Sequence, residues 1–206
     1  MRDPRFKRRD VDTVDTAPSR PRRPRADARR NYERLLAEAD TAFRAQGTDA
    51  PLEAIARNAG VAIGTLYGHF PTRRALVAAV LRDRSVDIFG LGDRLLAEPS
   101  ALPALTDWTR AVARHAAAYQ GLALMLADGA ANEQSELHES CARMADLTER
   151  LTARARDAGV IRRGVTGSDV SALISAAAWT AERTSAAEAD RLIDLAFDGL
   201  REPSGG

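Results

Sequence analysis

Nineteen residues in the first third of the chain leave little freedom about what they fold into. They read Leu52-Glu-Ala-Ile-Ala-Arg-Asn-Ala-Gly60-Val-Ala-Ile-Gly-Thr-Leu-Tyr-Gly-His-Phe70. Apolar residues at helical spacing on both sides of Gly60 predict one short helix over 52–58, with Pro51 at its start, and a second over 62–70. Two short helices joined by a turn containing glycine make a helix-turn-helix. Ile55, Ala59, Val61, Leu66 and Phe70 would seal the pair against a preceding helix, and Ala56 is small where helices must approach closely. That preceding helix is expected over 26–46. There Tyr32, Leu35, Leu36, Ala39 and Phe43 recur at spacings of three, four and seven, and Gly47 serves as the C-terminal stop.

The other face of the second short helix is unusual for a surface. Ala62, Gly64 and Gly68 are small, while Thr65, Tyr67 and His69 can donate hydrogen bonds. A glycine inside a helix costs about 1 kcal/mol relative to alanine, so something other than helix stability selected two of them. Close approach to DNA is one such reason: small residues let the backbone near a groove floor, and hydroxyls and imidazole reach phosphates. Ile63 would lie where a thymine methyl can be touched.

The remainder reads as helix after helix. After Pro71, Thr72 has the side chain to cap a helix running to about Phe89 or beyond. Further helices are expected near 100–119, 121–128, 134–158, 168–184 and 186–200. Capping boxes Thr166-x-x-Asp169 and Ser185-x-x-Glu188 locate the last two starts. No alternating run of β-branched residues is long enough for a strand, and a chain rich in Ala, Leu and Arg with 5% aromatics suits helices. The expected fold is all-α. Its division is a leader over 1–24, a helix-turn-helix domain over 25–71 and a helical domain over 72–206.

The net charge of +1 hides an asymmetry. Residues 1–25 hold nine Lys or Arg against four Asp, a net of +5, and the rest carries −4. The leader, with its run Pro18-Ser-Arg-Pro-Arg-Arg-Pro24, cannot bury apolar area and is expected to be disordered alone. It is either a plain unstructured leader or a basic arm that lies along DNA or enters a minor groove. One cysteine, Cys141, excludes an internal disulfide. No run of 18 apolar residues exists, and no apolar segment follows the basic start. No membrane association and a cytoplasmic location are therefore expected.

These motifs resemble the TetR family of bacterial transcriptional regulators, most densely over residues 30–80. The resemblance rests on Leu35-Leu36, Ala39…Phe43…Gly47 and Ile55-Ala56…Ala59-Gly60-Val61. Gly64-Thr65-Leu66-Tyr67-Gly68-His69-Phe70 and Pro71-Thr72-Arg73-Arg74-Ala75-Leu76 complete it. It implies that Thr65, Tyr67 and His69 contact the DNA backbone or groove, with Ala62 where the family commonly has serine. It also places Arg73 where members often have a lysine reaching phosphate. Arg74 replaces a common acidic residue, and a cation in the first turn of a helix is better tolerated beside a phosphate. Arg29 and Arg30 are either further backbone contacts or solvated surface arginines. The position of Pro51 often carries a capping Ser or Thr, so that cap is lost.

Beyond residue 80 the sequence is similar to the subgroup with an SbtR-like C-terminal domain. In that subgroup the last two helices pair with a second subunit as a four-helix bundle. Leu173, Ile174, Ala177 and Trp179, with Leu192, Leu195 and Phe197, fit that homodimer face or, alternatively, an intramolecular core. The middle helices should enclose a cavity for a small-molecule effector, with Trp108, His115, Tyr119, Met125, Cys141 and Met144 as candidates beside Leu122, Leu126 and Leu137. For each one taken separately, ordinary core packing is the first reading and ligand contact the second. The expected partner is double-stranded DNA bearing a palindromic operator, released when the effector binds, and the alternative is a helical module that no longer binds DNA. Three histidines and one cysteine form no catalytic constellation. His138 and Cys141 lack the further ligands of a metal site. No enzyme activity, cofactor or metal is expected.

Overall fold

Helix ends in this chain follow its punctuation residues. The computed structural model describes residues 23–132 and 134–201. Among them the backbone forms nine helices, and its one extended pairing is an isolated antiparallel bridge between Ile161 and Arg201. The N-terminal three are α1 (Arg23–Gln46), α2 (Leu52–Asn58) and α3 (Ile63–His69). A long α4 (Arg73–Ala97) leads to α5 (Ala101–Ala116) and α6 (Leu122–Ala131). The chain finishes with α7 (His138–Asp157), α8 (Gly167–Arg183) and α9 (Ala186–Leu200). No helix among the described residues is long and apolar enough to cross a membrane.

The all-α fold is as expected, and the caps explain most boundaries. Gly47 (φ +77°) ends α1 and Gly60 (φ +68°) ends α2, both in the left-handed region that favours glycine. Thr72 accepts from the Ala75 amide at the start of α4, and Thr166 and Asp169 form a reciprocal capping box on α8. At α9 only half of the expected box forms, Ser185 accepting from the Glu188 amide. The leader expected over 1–24 falls outside the described residues as far as residue 22, and α1 already begins at Arg23. Pro24 in its first turn loses no intrahelical bond.

The long α4 uses the open end of its expected range, and the ends of α5 and α6 and the start of α7 differ from expectation by three or four residues. Helix α4 continues past Phe89 through Gly90 and Gly92 because it crosses α5 and α7 there: a Cβ on Gly92 would lie 2.8 Å from Trp108 and 2.9 Å from Leu147. Helix α5 stops at Ala116, before the left-handed Gly121 (φ +83°). Helix α7 starts at His138 instead of residue 134, because the Ser135 amide donates to the Asn132 carbonyl while its own hydroxyl and carbonyl accept from the Leu137 and His138 amides in a turn.

Two apolar clusters result. One joins Leu35, Phe43, Ile55, Leu66 and Phe70 to Leu76 and Leu81 of α4, and also takes in Tyr119, Leu122, Leu137 and Cys141. The other centres on Trp108, Leu105, Leu147, Leu151, Val170, Ile193 and Phe197, with Ile88 and Phe89 from the far half of α4. Helix α4 therefore packs in both and is the element that runs from the helix-turn-helix cluster into the second.

Candidate nucleic-acid interface and ligand cavity

The turn between α2 and α3 is tied back onto α2: the Gly60 amide donates to Arg57 (3.1 Å) and the Val61 amide to Ala56 (3.0 Å). This aims α3 outward, with only Leu66 buried along its length. Ala62, Ile63, Gly64, Tyr67 and Gly68 are exposed, and Thr65 and His69 partly so. A Cβ on either Gly64 or Gly68 would meet nothing within 4 Å. No protein contact requires those glycines. His69 and Phe70 pack on Tyr32 at centroid distances of 5.8 and 5.1 Å, which anchors the end of α3 to α1.

The arginines grouped with this face by sequence are placed differently from one another. Arg29 and Arg30 are exposed on α1 and paired with Glu33 and Asp27. Arg73 turns inward and donates from Nη1 to the carbonyls of Thr48 (2.8 Å) and Ala50 (2.6 Å). Arg74 pairs with Asp128 of α6. The structure thus engages both Arg73 and Arg74 within the protein, with partners too distant in the chain for any local pattern to reveal.

The effector-side candidates also separate. A cavity of about 170 Å³ lies among α5, α6, α7 and α8. Cys141, Met144 and Thr148 of α7 face Val112 and Ala116 of α5 across it, and Leu126 and Ala127 of α6 face Ile174 and Ala178 of α8. Of the six sequence candidates, Cys141 and Met144 line this space. Trp108 stands one residue behind the wall, its Nε1 donating to Thr148 Oγ1 at 2.8 Å. His115 lies in a separate groove with Arg84, Arg94 and Arg114. Burial first, then the nearby Arg84 charge, push its imidazole down to about 4, and its Nε2 finds no hydrogen-bond partner among the described residues. Tyr119 and Met125 pack in the N-terminal cluster instead. The α8 side of the cavity, Ser171, Ser175 and Ala178, was not among the candidates, because small residues carry no signal separating a cavity wall from a close helix contact.

Several bonds join the two regions. The Tyr119 hydroxyl donates to Asp40 of α1. Burial, then the bond to Asp40, push this phenol up to about 12. Burial alone would raise the Asp40 carboxyl, but hydrogen bonds from Arg44 and Tyr119 outweigh it and hold the group below the usual carboxylate range. The Thr48 amide donates to Gln120 (2.9 Å), and Thr72 bonds Glu136 (2.5 Å). At the start of α6, the Gly121 and Ala123 amides donate to Glu182 of α8 (3.1 and 3.0 Å). Helix α6 is therefore held by α8 at one end and reaches Arg74 of α4 near the other.

The residues read as a dimer face divide as well. Ile174, Ala177 and Phe197 are buried within the protomer, Leu173 and Leu192 partly buried, and Trp179 and Leu195 exposed at 60% and 62%. Arg183 covers part of the Trp179 ring, 5.5 Å from its centroid.

Comparison with known proteins adds independent findings. Residues 35–80 match the family model described as bacterial regulatory proteins, tetR family, and residues 100–202 match the transcriptional regulator SbtR-like C-terminal domain. The chain is similar to the TetR transcriptional regulator SCO0520 from Streptomyces coelicolor, with 37% identity over 84% of this chain and 99% of that one, at a TM-score of 0.58. It is also similar to a TetR transcription regulatory protein from Mycobacterium vanbaalenii, with 35% identity over 86% of this chain and 99% of that one, at a TM-score of 0.53. The Bacillus subtilis regulator FadR, solved with stearoyl-CoA, shares the fold at a TM-score of 0.57, with 16% identity over 82% of this chain and all of that one. No curated protein sequence matches.

Proposed function

The chain belongs to the TetR family of bacterial transcriptional regulators, and from that premise we propose that it is a repressor that grips a palindromic operator as a homodimer and is released by a small molecule. The observation that carries the DNA side of this reading is the open space over Gly64 and Gly68. Two glycines that weaken a seven-residue helix, with no protein neighbour to accommodate, suit a backbone that lies against a groove. In this reading Ala62, Ile63, Gly64 and Gly68 approach base edges, and Thr65, Tyr67 and His69 reach backbone phosphates. Arg29 and Arg30 add charge along the phosphates. Arg73 acts as a positioning residue for the turn before α2.

The helix-turn-helix and the effector region, 25–71 and 72–206, communicate through α4. The exposed Trp179 and Leu195 form the centre of the subunit interface, and two-fold symmetry then presents two α3 helices to two half-sites. An effector among α5–α8 presses on Leu126 and Ala127 of α6, the helix whose Asp128 holds Arg74. Release follows only insofar as the effector binds the non-gripping arrangement more tightly. The stearoyl-CoA of FadR does not carry over, because likeness at 16% identity concerns the fold. The protein works in the cytoplasm, and no catalytic step is assigned to it.

The test is binding of purified protein to the DNA upstream of its own gene, against random DNA of equal length, across a salt series. Tight and salt-sensitive binding to the upstream fragment alone supports the reading. Absence of binding to either fragment at low salt replaces it with a helical interaction module.

A further inference from the structure

Resting on the reading of the cavity among α5–α8 as the effector site, we propose that the effector is an uncharged molecule whose apolar body is about the size of one aromatic ring, with any polar group directed to Ser171 at the mouth. The wall contains no Asp, Glu, Lys, Arg or His. Three of the four hydrogen-bonding side chains in the wall are already occupied. Thr148 donates to the Met144 carbonyl (2.8 Å) while accepting from Trp108, Cys141 donates to the Leu126 carbonyl (3.5 Å), and Ser175 donates to the Ser171 carbonyl (3.1 Å). Burial pushes the Cys141 thiol up to about 11, so it stays neutral at physiological pH. Ser171 is the lining hydroxyl with no side-chain bond among the described residues, and it sits half-buried near the exposed Ser175 and Ala127.

An ion entering this space would surrender its hydration without a partner, which is far costlier than moving an apolar ring out of water. Two acidic residues of the surrounding helices are committed elsewhere, Asp128 to Arg74 and Glu182 to the first amides of α6. Size sets the second limit. A dry apolar cavity of about 150 Å³ holds one benzene, so the roughly 170 Å³ here admits a single ring or a short branched chain. The body of a long acyl chain exceeds this volume and would have to leave it past the exposed rim at Ala127 and Ser175.

The test titrates full-length protein with toluene, benzyl alcohol, benzoate, benzylammonium and 1-dodecanol, read by calorimetry and by Trp108 emission through its bond to Thr148. Toluene and benzyl alcohol should bind saturably and at least about tenfold more tightly than the two ions or the long alcohol. Ala178→Leu should abolish that binding by filling the chamber. Because Ala178 is fully buried, Ala127→Leu on the exposed rim provides a second blocking variant that does not depend on repacking the core. Benzoate or benzylammonium binding as tightly as toluene, and lost in Ala127→Leu, would overturn the chemical class while leaving the cavity an effector site. Equally tight 1-dodecanol would overturn the size limit in the same way. Ring binding untouched by either variant would overturn the location, and no binding by any of the five would overturn the reading of the cavity itself.

Discussion

Arg73 Nη1 donates to two carbonyls of the α1–α2 turn, Thr48 at 2.8 Å and Ala50 at 2.6 Å. The next residue, Pro51, offers α2 no side-chain cap, so a guanidinium from α4 secures the approach that a Ser or Thr would otherwise help to fix. Hydrogen bonds from a charged donor contribute about 1.5–3 kcal/mol. Arg73→Ala should therefore lower stability by about 2 kcal/mol and weaken operator binding indirectly, leaving the salt dependence of binding unchanged. A variant of full stability whose log–log salt slope falls by about one would instead identify Arg73 as a phosphate contact.

Gly64→Ala and Gly68→Ala set stability against function. With nothing within 4 Å of either added Cβ, each should stabilise the protein by about 1 kcal/mol and raise the melting temperature by about 2–4 °C. Operator affinity should fall at the same time. Unchanged DNA binding in a more stable double variant would remove the main argument for α3 as the reading helix.

His115 should make stability fall on mild acidification. The unfolded imidazole takes up a proton near its ordinary 6.5, the folded one only near 4. The folded state's advantage is thus complete above about 6.5 and is lost as the pH falls towards 4, a total of about 3 kcal/mol. His115→Phe keeps a ring there and removes an Nε2 that has no partner among the described residues. Urea melts at pH 7 and pH 5 should show a smaller difference for this variant, and an identical difference would contradict the assignment.

Gly92→Ala should destabilise the protein although it adds only a methyl group. Its Cβ would press on Trp108 at 2.8 Å and Leu147 at 2.9 Å, both in the second core. Overpacking of this kind costs about 1–3 kcal/mol, outweighing the gain in helix propensity. A thermal melt at or above that of the parent would show that α4 and α5 can separate freely here.

Leu195→Glu tests the subunit face. At 62% exposure in the protomer, Leu195 can carry a charge without unfolding its own chain. The variant should sediment as a monomer with undiminished helicity and bind the operator far more weakly. A variant that remains dimeric would move the interface elsewhere.

The sequence carried the helix-turn-helix: Gly60 at the turn, Leu66 and Phe70 turned inward, and Ala62, Gly64, Tyr67 and Gly68 outward, while Thr65 and His69, read onto the same outward face, are only partly exposed. It left Tyr119 and Met125 open between cavity and core, where they join the N-terminal core, and it left α8 open between a subunit face and an internal core without showing its cavity side. Nothing in Ser171, Ser175 or Ala178 distinguishes those two uses.

The order of the helices, the caps of α4 and α8 and the left-handed Gly47 and Gly60 were determined by the sequence alone because their bonds close within a few residues, as Thr72 does with Ala75 and Thr166 with Asp169. The partners of Arg73, Trp108 and Tyr119 were decided only by tertiary structure, since they lie 25, 40 and 79 residues away. Which side of an apolar helix meets core, cavity or solvent depends on where its neighbours come to rest, and helical periodicity carries no information about that.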